Sequence, residues 1–215
     1  MTPMTRHIAL VGFGAAGKDT LGNALVEVGG YRRMAFGDTI KSAFRQACLR
    51  EESFVDVYER LAGSIPNADF YWQTVRDLAE PALRAHGPID TFTPHGALKE
   101  AIRPFLVHGG QAIYPYVSEK FFREFDEAIA RGERVVNTRL FRIEEARRWR
   151  ERAGAVIVDV LRKGNEAKEP EEAKNVQQLY AEGLVDQMVV NDGTYAQWQT
   201  YCDGYARAAR EWNEG

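Results

Sequence analysis

Two hydrophobic patterns alternate along this chain. Short apolar runs of the length expected of buried strands occur at residues 8–11, 34–36, 135–136, 155–158 and 188–190. Between several of these runs, apolar residues recur at helical spacing, at residues 21–28, 121–130 and 143–152. Because strands that alternate with helices usually form parallel sheets, the pattern predicts an α/β fold with a parallel sheet flanked by helices.

The predicted strands are unevenly spaced, which indicates insertions in a single domain. The longest interval, about 38–133, is predicted to be a large and mostly helical insertion. A shorter one, about 162–184, contains Gly164-Asn165 and a charged stretch at 168–172, and we expect it to form an exposed, mobile lid. The core of the domain then comprises about residues 5–37, 134–161 and 185–215.

The most informative segment directly follows the first predicted strand. It reads Gly12-Phe13-Gly14-Ala15-Ala16-Gly17-Lys18 and leads into the first predicted helix. Small residues allow backbone N–H groups to approach phosphate oxygens, and the helix presents its positive end to them. Lys18 is expected to reach the β- and γ-phosphates of a nucleotide. The context predicts a P-loop NTPase fold with three layers, although a glycine turn that only joins two elements would have the same sequence.

The residues around this loop form the predicted ATP site. Asp19 stands where Ser or Thr usually follows the lysine, and Thr20 comes one position later, so Thr20 is our candidate for contact with Mg²⁺. The predicted ATP contacts within the loop are Gly12, Ala15, Ala16, Gly17, Lys18, Asp19 and Thr20, with Gly14 assigned to the acceptor substrate.

The amino-acid composition limits the kinds of molecule that the protein is expected to bind. The chain has 215 residues, of which 45% are hydrophobic, and a net charge of −3, which offers no general attraction to nucleic acid. Cys48 and Cys202 lie far apart, and the histidines lack metal-ligand spacing, so no disulfide framework or zinc site is expected. No segment reaches the ~18 uninterrupted apolar residues of a membrane span. We therefore expect a cytoplasmic protein that binds small molecules rather than nucleic acid or membrane; a homodimer is left open.

Several stretches, taken in order, resemble the deoxynucleoside monophosphate kinases of bacteriophages. The stretches are Gly17-Lys18-Asp19-Thr20 and residues 35–41, 103–111, 135–144 and 190–194. The resemblance implies transfer of the γ-phosphoryl group of ATP, with Mg²⁺, to a deoxynucleoside monophosphate, giving the diphosphate and ADP. The family usually has an aspartate where this chain has Asn137, so Asp19, Asp38 and Asp159 remain candidates for a carboxylate near Mg²⁺.

The same resemblance implies roles for individual residues. Lys18, Arg139 and Arg162 are implied to be catalytic, with Arg162 at the start of the lid also contacting ATP. Thr194, in the loop after the last strand, is implied to border the adenine. The residues implied to bind the acceptor, besides Gly14, are Ile40, Lys41, Arg103, Gly109, Gly110, Gln111, Arg139 and Arg142. For the arginines and glycines of the long insertion, a solvated side chain and a plain turn are equally good interpretations.

Other functions are compatible with a phosphate-binding loop. Kinases that act on alcohols such as dephospho-coenzyme A or shikimate rank second, because no Asp/His pair that could serve as a base is evident beside the loop. A nucleotide-binding switch would share the loop and transfer nothing to an acceptor. A kinase of DNA ends would require a continuous basic groove, against which the net charge of −3 argues.

Overall fold

The computed structural model describes residues 7–37, 118–119, 121–167 and 170–212. Two compact units divide the chain, Met1–Ala35 with Glu124–Gly215 and, separately, Phe36–Arg123. The sheet and the contacts of the candidate site belong to the first unit. In the second unit, the aromatic rings of Phe36 and Phe121 meet edge to face at 6.0 Å.

All strands of the sheet run parallel. They are β1 (Ile8–Val11), β2 (Arg32–Arg33), β3 (Val135–Asn137), β4 (Val156–Arg162) and β5 (Gln187–Asn191), in the spatial order β2-β3-β1-β4-β5. The chain leaves β1 towards the β2 and β3 side and later crosses to β4 on the other side of β1. Ligands of open α/β sheets bind beyond the carboxyl ends of the strands at such a reversal, so the segment after β1 lies in the expected place.

Helices cover both faces of this sheet. They are α1 (Lys18–Glu27), α2 (residues 121–130), α3 (Ile143–Ala153), α4 (Pro170–Ala181) and α5 (Tyr195–Glu211). Together with the parallel sheet they confirm the predicted α/β architecture. None of the helices in the described ranges combines the length and the apolar character that a bilayer span requires.

Side chains along each strand point alternately to the two faces of the sheet, and helices pack against both faces. Ile8 and Leu10 of β1 face a buried cluster that includes Leu25 of α1 and Trp198 of α5. Ala9 and Val11 point to the opposite face of the sheet and are also buried. On that face α2 packs on α3, and α4 lies near the middle of β4, where a tyrosine hydroxyl meets Asp159. Burial on both faces accounts for the continuous apolar runs of the sequence.

Two strand boundaries differ from the prediction. The second apolar run, 34–36, was expected to be a strand, but β2 lies earlier, at Arg32–Arg33. β2 is at the edge of the sheet, and its Arg32 is exposed and pairs with Glu133 at 2.9 Å, so polar residues fill the strand. Met34 and Ala35 of the apolar run are instead buried just after this strand, and the N–H of Met34 still donates to the carbonyl oxygen of Val136 at 2.9 Å.

The fourth strand is longer than its apolar core. Arg162, expected at the start of a lid, is the last residue of β4 and aligns with Asn191 of β5. The charged stretch predicted to be exposed contains the first turn of α4, which begins at Pro170, a residue well suited to a helix N-terminus. Leu179 of α4 is fully buried, so this part of the predicted lid packs against the core of its own unit.

Candidate phosphate-binding site

The loop between β1 and α1 requires glycine at two positions. Gly12 has a φ of 127°, and a Cβ atom there would lie 2.3 Å from the carbonyl oxygen of Val160. Gly17 has a φ of 108°, and its Cβ would lie 2.5 Å from Nε1 of Trp198 and 2.7 Å from Nδ2 of Asn191. Ala15 also adopts the left-handed region, with a φ of 62°. The loop is thus pressed between β4 and the start of α5, and side chains at its two ends would obstruct it.

Side chains from three separate segments hold the loop through its carbonyl oxygens. Asn191, at the end of β5, donates from Nδ2 to the carbonyl oxygen of Ala16 at 2.9 Å. Asn165 donates from Nδ2 to that of Gly14 at 2.7 Å, and Trp198 from Nε1 to that of Gly17 at 3.3 Å. The first-turn N–H groups of α1 have no acceptor within their own helix. The result is a braced loop beside a helix N-terminus, which is a favourable arrangement for an anion.

Lys18 lies over this loop. Its Nζ atom donates to the carbonyl oxygens of Gly12 at 2.6 Å and of Phe13 at 2.7 Å. Burial lowers the pKa of Lys18, whereas the negative charges of Glu172 and Asp19 oppose that decrease. The ammonium is therefore partly withdrawn from water, and its hydrogen-bond partners among the described residues are neutral carbonyl oxygens. A phosphate group would replace them with charge-assisted hydrogen bonds.

Asp159 lies beneath the loop and was given little weight from the sequence. Its side chain is fully buried and its Oδ2 accepts from the hydroxyl of Tyr180 at 2.6 Å, while its Oδ1 has no hydrogen-bond partner within the described part of the chain. Burial raises the pKa of Asp159, while the tyrosine and the charge of Lys18 lower it. A Cβ atom on Gly12 would lie 2.9 Å from Oδ1. An aspartate inside an otherwise apolar strand was the available signal in the sequence.

The candidate arginines lie at the same edge of the sheet. Arg139 follows β3 and Arg162 ends β4, and these strands lie on either side of β1. The guanidinium of Arg139 is 3.8 Å from Oδ2 of Asp19. The side chain of Arg162 is exposed. Lys18 and these two arginines thus share the carboxyl edge of the strands.

Two other predicted site residues, Arg142 and Thr194, lie at helix N-termini, and their predicted contacts with substrates remain predictions. Arg142 is the N-cap residue of α3. Thr194 caps α5 in a reciprocal arrangement with Gln197, in which its hydroxyl accepts from a backbone N–H and its own N–H donates to Oε1 at 2.8 Å. This capping role accounts for the threonine side chain, and contact of the Thr194 segment with ATP remains a prediction. Sequence reasoning missed Asn191, Asn165 and Trp198 as the side chains that brace the loop.

Part of the predicted site falls outside the described residues. These positions are Ile40, Lys41, Arg103, Gly109, Gly110 and Gln111, together with Asp38. Within the described ranges, no group of three or more His, Cys, Asp or Glu side chains is arranged to hold a metal ion. Thr20 occupies the first turn of α1. Comparison with protein-family models and with curated protein sequences found no match to this chain.

Proposed function

We propose that the protein is a P-loop kinase that transfers the γ-phosphoryl group of ATP to a nucleoside monophosphate, with deoxynucleoside monophosphates as the first acceptors to test. The supporting observation is the partly buried ammonium of Lys18, which lies on a glycine-bounded loop between a parallel strand and a helix N-terminus. The choice of a monophosphate as acceptor rests on the resemblance described above.

In this proposal the loop and three cations act on the phosphates. Lys18 exchanges the carbonyl oxygens of Gly12 and Phe13 for phosphate oxygens, while the first-turn N–H groups of α1 bind the same chain of phosphates. Arg139 and Arg162 neutralise charge that develops on the transferred group, which is the main contribution a protein makes to phosphoryl transfer. An ionised phosphate acceptor needs no general base.

The described residues of this site could supply only a small part of the ligands of a Mg²⁺ ion. Thr20 and Asp19, both in the first turn of α1, carry side-chain oxygens beside the loop, whereas the amide of Asn137 is engaged on both sides. When bound, Mg²⁺ would neutralise charge on the β- and γ-phosphates. The residues present suit an ion held chiefly by the phosphate oxygens of the nucleotide, with Thr20 as the protein contact.

The buried carboxyl of Asp159 does not favour an alcohol acceptor. A catalytic base must come within hydrogen-bond distance of the acceptor hydroxyl. Asp159 is fully buried and already accepts from Tyr180, so its carboxylate is closed to a ligand in this conformation. The monophosphate kinase therefore remains the function to test first.

The test is a coupled assay of ADP release with ATP and Mg²⁺. Each deoxynucleoside and ribonucleoside monophosphate is supplied in turn, with shikimate and dephospho-coenzyme A as alternative acceptors. Turnover that depends on one or a few monophosphates supports the proposal and identifies the base and sugar. Release that is independent of every acceptor indicates an NTPase or switch, and turnover with only an alcohol acceptor indicates the second class of kinase.

A further inference from the structure

A buried carboxyl group lies under the turn that carries Arg139. Glu145, in the first turn of α3, is 3% exposed, and its Oε1 accepts from Nδ2 of Asn137 at 2.8 Å. The backbone N–H groups of Phe141 and Arg142 face the same carboxyl and help to lower its pKa. Burial raises the pKa of Glu145 to about 7, although the hydrogen bond from Asn137 and the two backbone N–H groups favour the ionised form. The turn from β3 to α3 is thus folded around one side chain.

Asn137 links this carboxyl to the backbone of Arg139. The amide is fully buried, and its Oδ1 accepts from the N–H of Arg139 at 2.9 Å while its Nδ2 donates to Glu145. An amide is an acceptor at one end and a donor at the other, which is what these two neighbours require. The partners therefore also determine the orientation of the amide.

We propose that Glu145 is a positioning residue that acts through Asn137 to fix the backbone of Arg139. The inference rests on the proposed function in one respect, the role of Arg139 at the transferred phosphoryl group. It also accounts for the asparagine, because an aspartate at this position would bring a second carboxylate against Oε1 of Glu145. The amide at 137 and the carboxyl at 145 are therefore complementary as hydrogen-bond donor and acceptor.

Exchanging the amide and the carboxyl between positions 137 and 145 tests whether this pair positions Arg139 or whether the site only needs buried polar groups. In Asn137→Asp, two carboxyl groups face each other, and once both are ionised neither can donate. In Glu145→Gln, the new amide must turn its N–H groups either towards Asn137 or towards the backbone donors of Phe141 and Arg142. In the double variant the new glutamine donates to the new aspartate and keeps its oxygen towards the backbone N–H groups. The hydrogen bond between 137 and 145 is thus restored with donor and acceptor exchanged, and the aspartate can still accept from the N–H of Arg139.

Two measurements are made on each variant of the full chain. Hydrogen exchange of the Arg139 amide reports the positioning directly and requires no activity. The assay of ADP release, with the acceptor that the wild-type chain uses, separates kcat from KM. We expect each single variant to increase the exchange rate of that amide and to lower kcat by about tenfold or more, because a buried charged hydrogen bond is left unmade. The double variant should return both quantities to within about threefold of wild type.

Glu144→Gln serves as the matched control, because it makes the same chemical change on the neighbouring exposed residue of α3 and should leave both quantities unchanged. If the double variant is no better than the worse single variant in exchange of the Arg139 amide, the proposal is overturned. If exchange is restored and kcat is not, Glu145 positions the backbone but that position does not matter for turnover, which also overturns the proposal. A wild-type chain without acceptor-dependent turnover refutes the kinase function instead, and the exchange measurement still decides the positioning.

Discussion

Two glycines in helices provide a sharp test of how α1 packs against the site. Gly22, in α1, is buried, and a Cβ atom there would lie 2.3 Å from Cγ2 of Thr138, the residue immediately before Arg139. Gly204, in α5, is exposed, and a Cβ atom there would meet nothing within 4 Å. Replacing either glycine by alanine brings the same gain in helix propensity, so the two substitutions differ in the space around the new methyl group.

The expected effects have opposite signs. Gly204→Ala should raise the free energy of unfolding by roughly 0.5–1 kcal/mol, the usual advantage of alanine in a helix. Gly22→Ala gains the same amount but overpacks a rigid contact, which costs about 1–3 kcal/mol. Thr138 is fully buried and β-branched, so it cannot easily turn away. We therefore expect Gly22→Ala to lower the free energy of unfolding by about 1 kcal/mol, or the melting temperature by roughly 2–4 °C.

Urea denaturation followed by circular dichroism measures these differences. Thr138→Ser removes the Cγ2 atom that the new methyl group would meet and retains the hydroxyl. The free energy of unfolding of the double variant Gly22→Ala with Thr138→Ser should therefore be about 1 kcal/mol higher than the value expected from adding the two single effects. If Gly22→Ala stabilises as much as Gly204→Ala, or if the two changes are additive, the close packing of α1 on the Arg139 turn is refuted.

The other predictions concern the loop and a buried histidine. Lys18→Ala should lower turnover by about a hundredfold or more while leaving the melting temperature nearly unchanged; an active and well-folded variant would refute the assigned chemistry. Asn165→Ala removes the hydrogen bond to Gly14 and should raise KM for ATP several-fold, roughly the value of one hydrogen bond, whereas Lys163→Ala, at an exposed neighbour, should not. His7 accepts a backbone N–H at Nδ1, and burial lowers its pKa from 6.5 to about 4, so stability is complete above pH 6.5 and falls by about 3 kcal/mol as the pH decreases towards 4. The variant His7→Gln, whose amide oxygen can accept the same N–H, should lose most of that pH dependence in urea denaturation; an unchanged pH dependence would contradict this origin.

Much of the sheet was predictable because its central strands are buried on both faces. The apolar run at Ile8–Val11 is the observed β1, since four consecutive buried residues leave a clear signal. The edge strand β2 was misplaced because Arg32 faces solvent and pairs with Glu133. In the centre of a sheet the residues that pair are also buried, whereas in an edge strand some of them are exposed. Apolar runs therefore locate edge strands poorly.

The candidate site was predictable only where it is continuous in sequence. Gly12, Gly17 and Lys18 lie within one loop, and its glycines are required by positive φ angles that a sequence motif expresses directly. Asn191 and Trp198, which brace that loop, are more than a hundred residues away, and nothing in their local sequence indicates which carbonyl they meet. Asparagine and tryptophan are common in turns and cores, so their role depends on tertiary contacts that local patterns do not encode.

The hydrogen bonds of Asn137 give a physical reason for an amide at this position. Its amide is hydrogen-bonded to the backbone of Arg139 and to the carboxyl of Glu145, so both of its ends are occupied. A side chain held in this way cannot also turn towards a hydrated Mg²⁺ ion without leaving a buried carboxyl without its donor, which is costly. For the proposed kinase it follows that the metal should arrive with the nucleotide and be held chiefly by the phosphates. We therefore expect Asn137→Asp to fail to improve magnesium dependence unless Glu145 is changed with it.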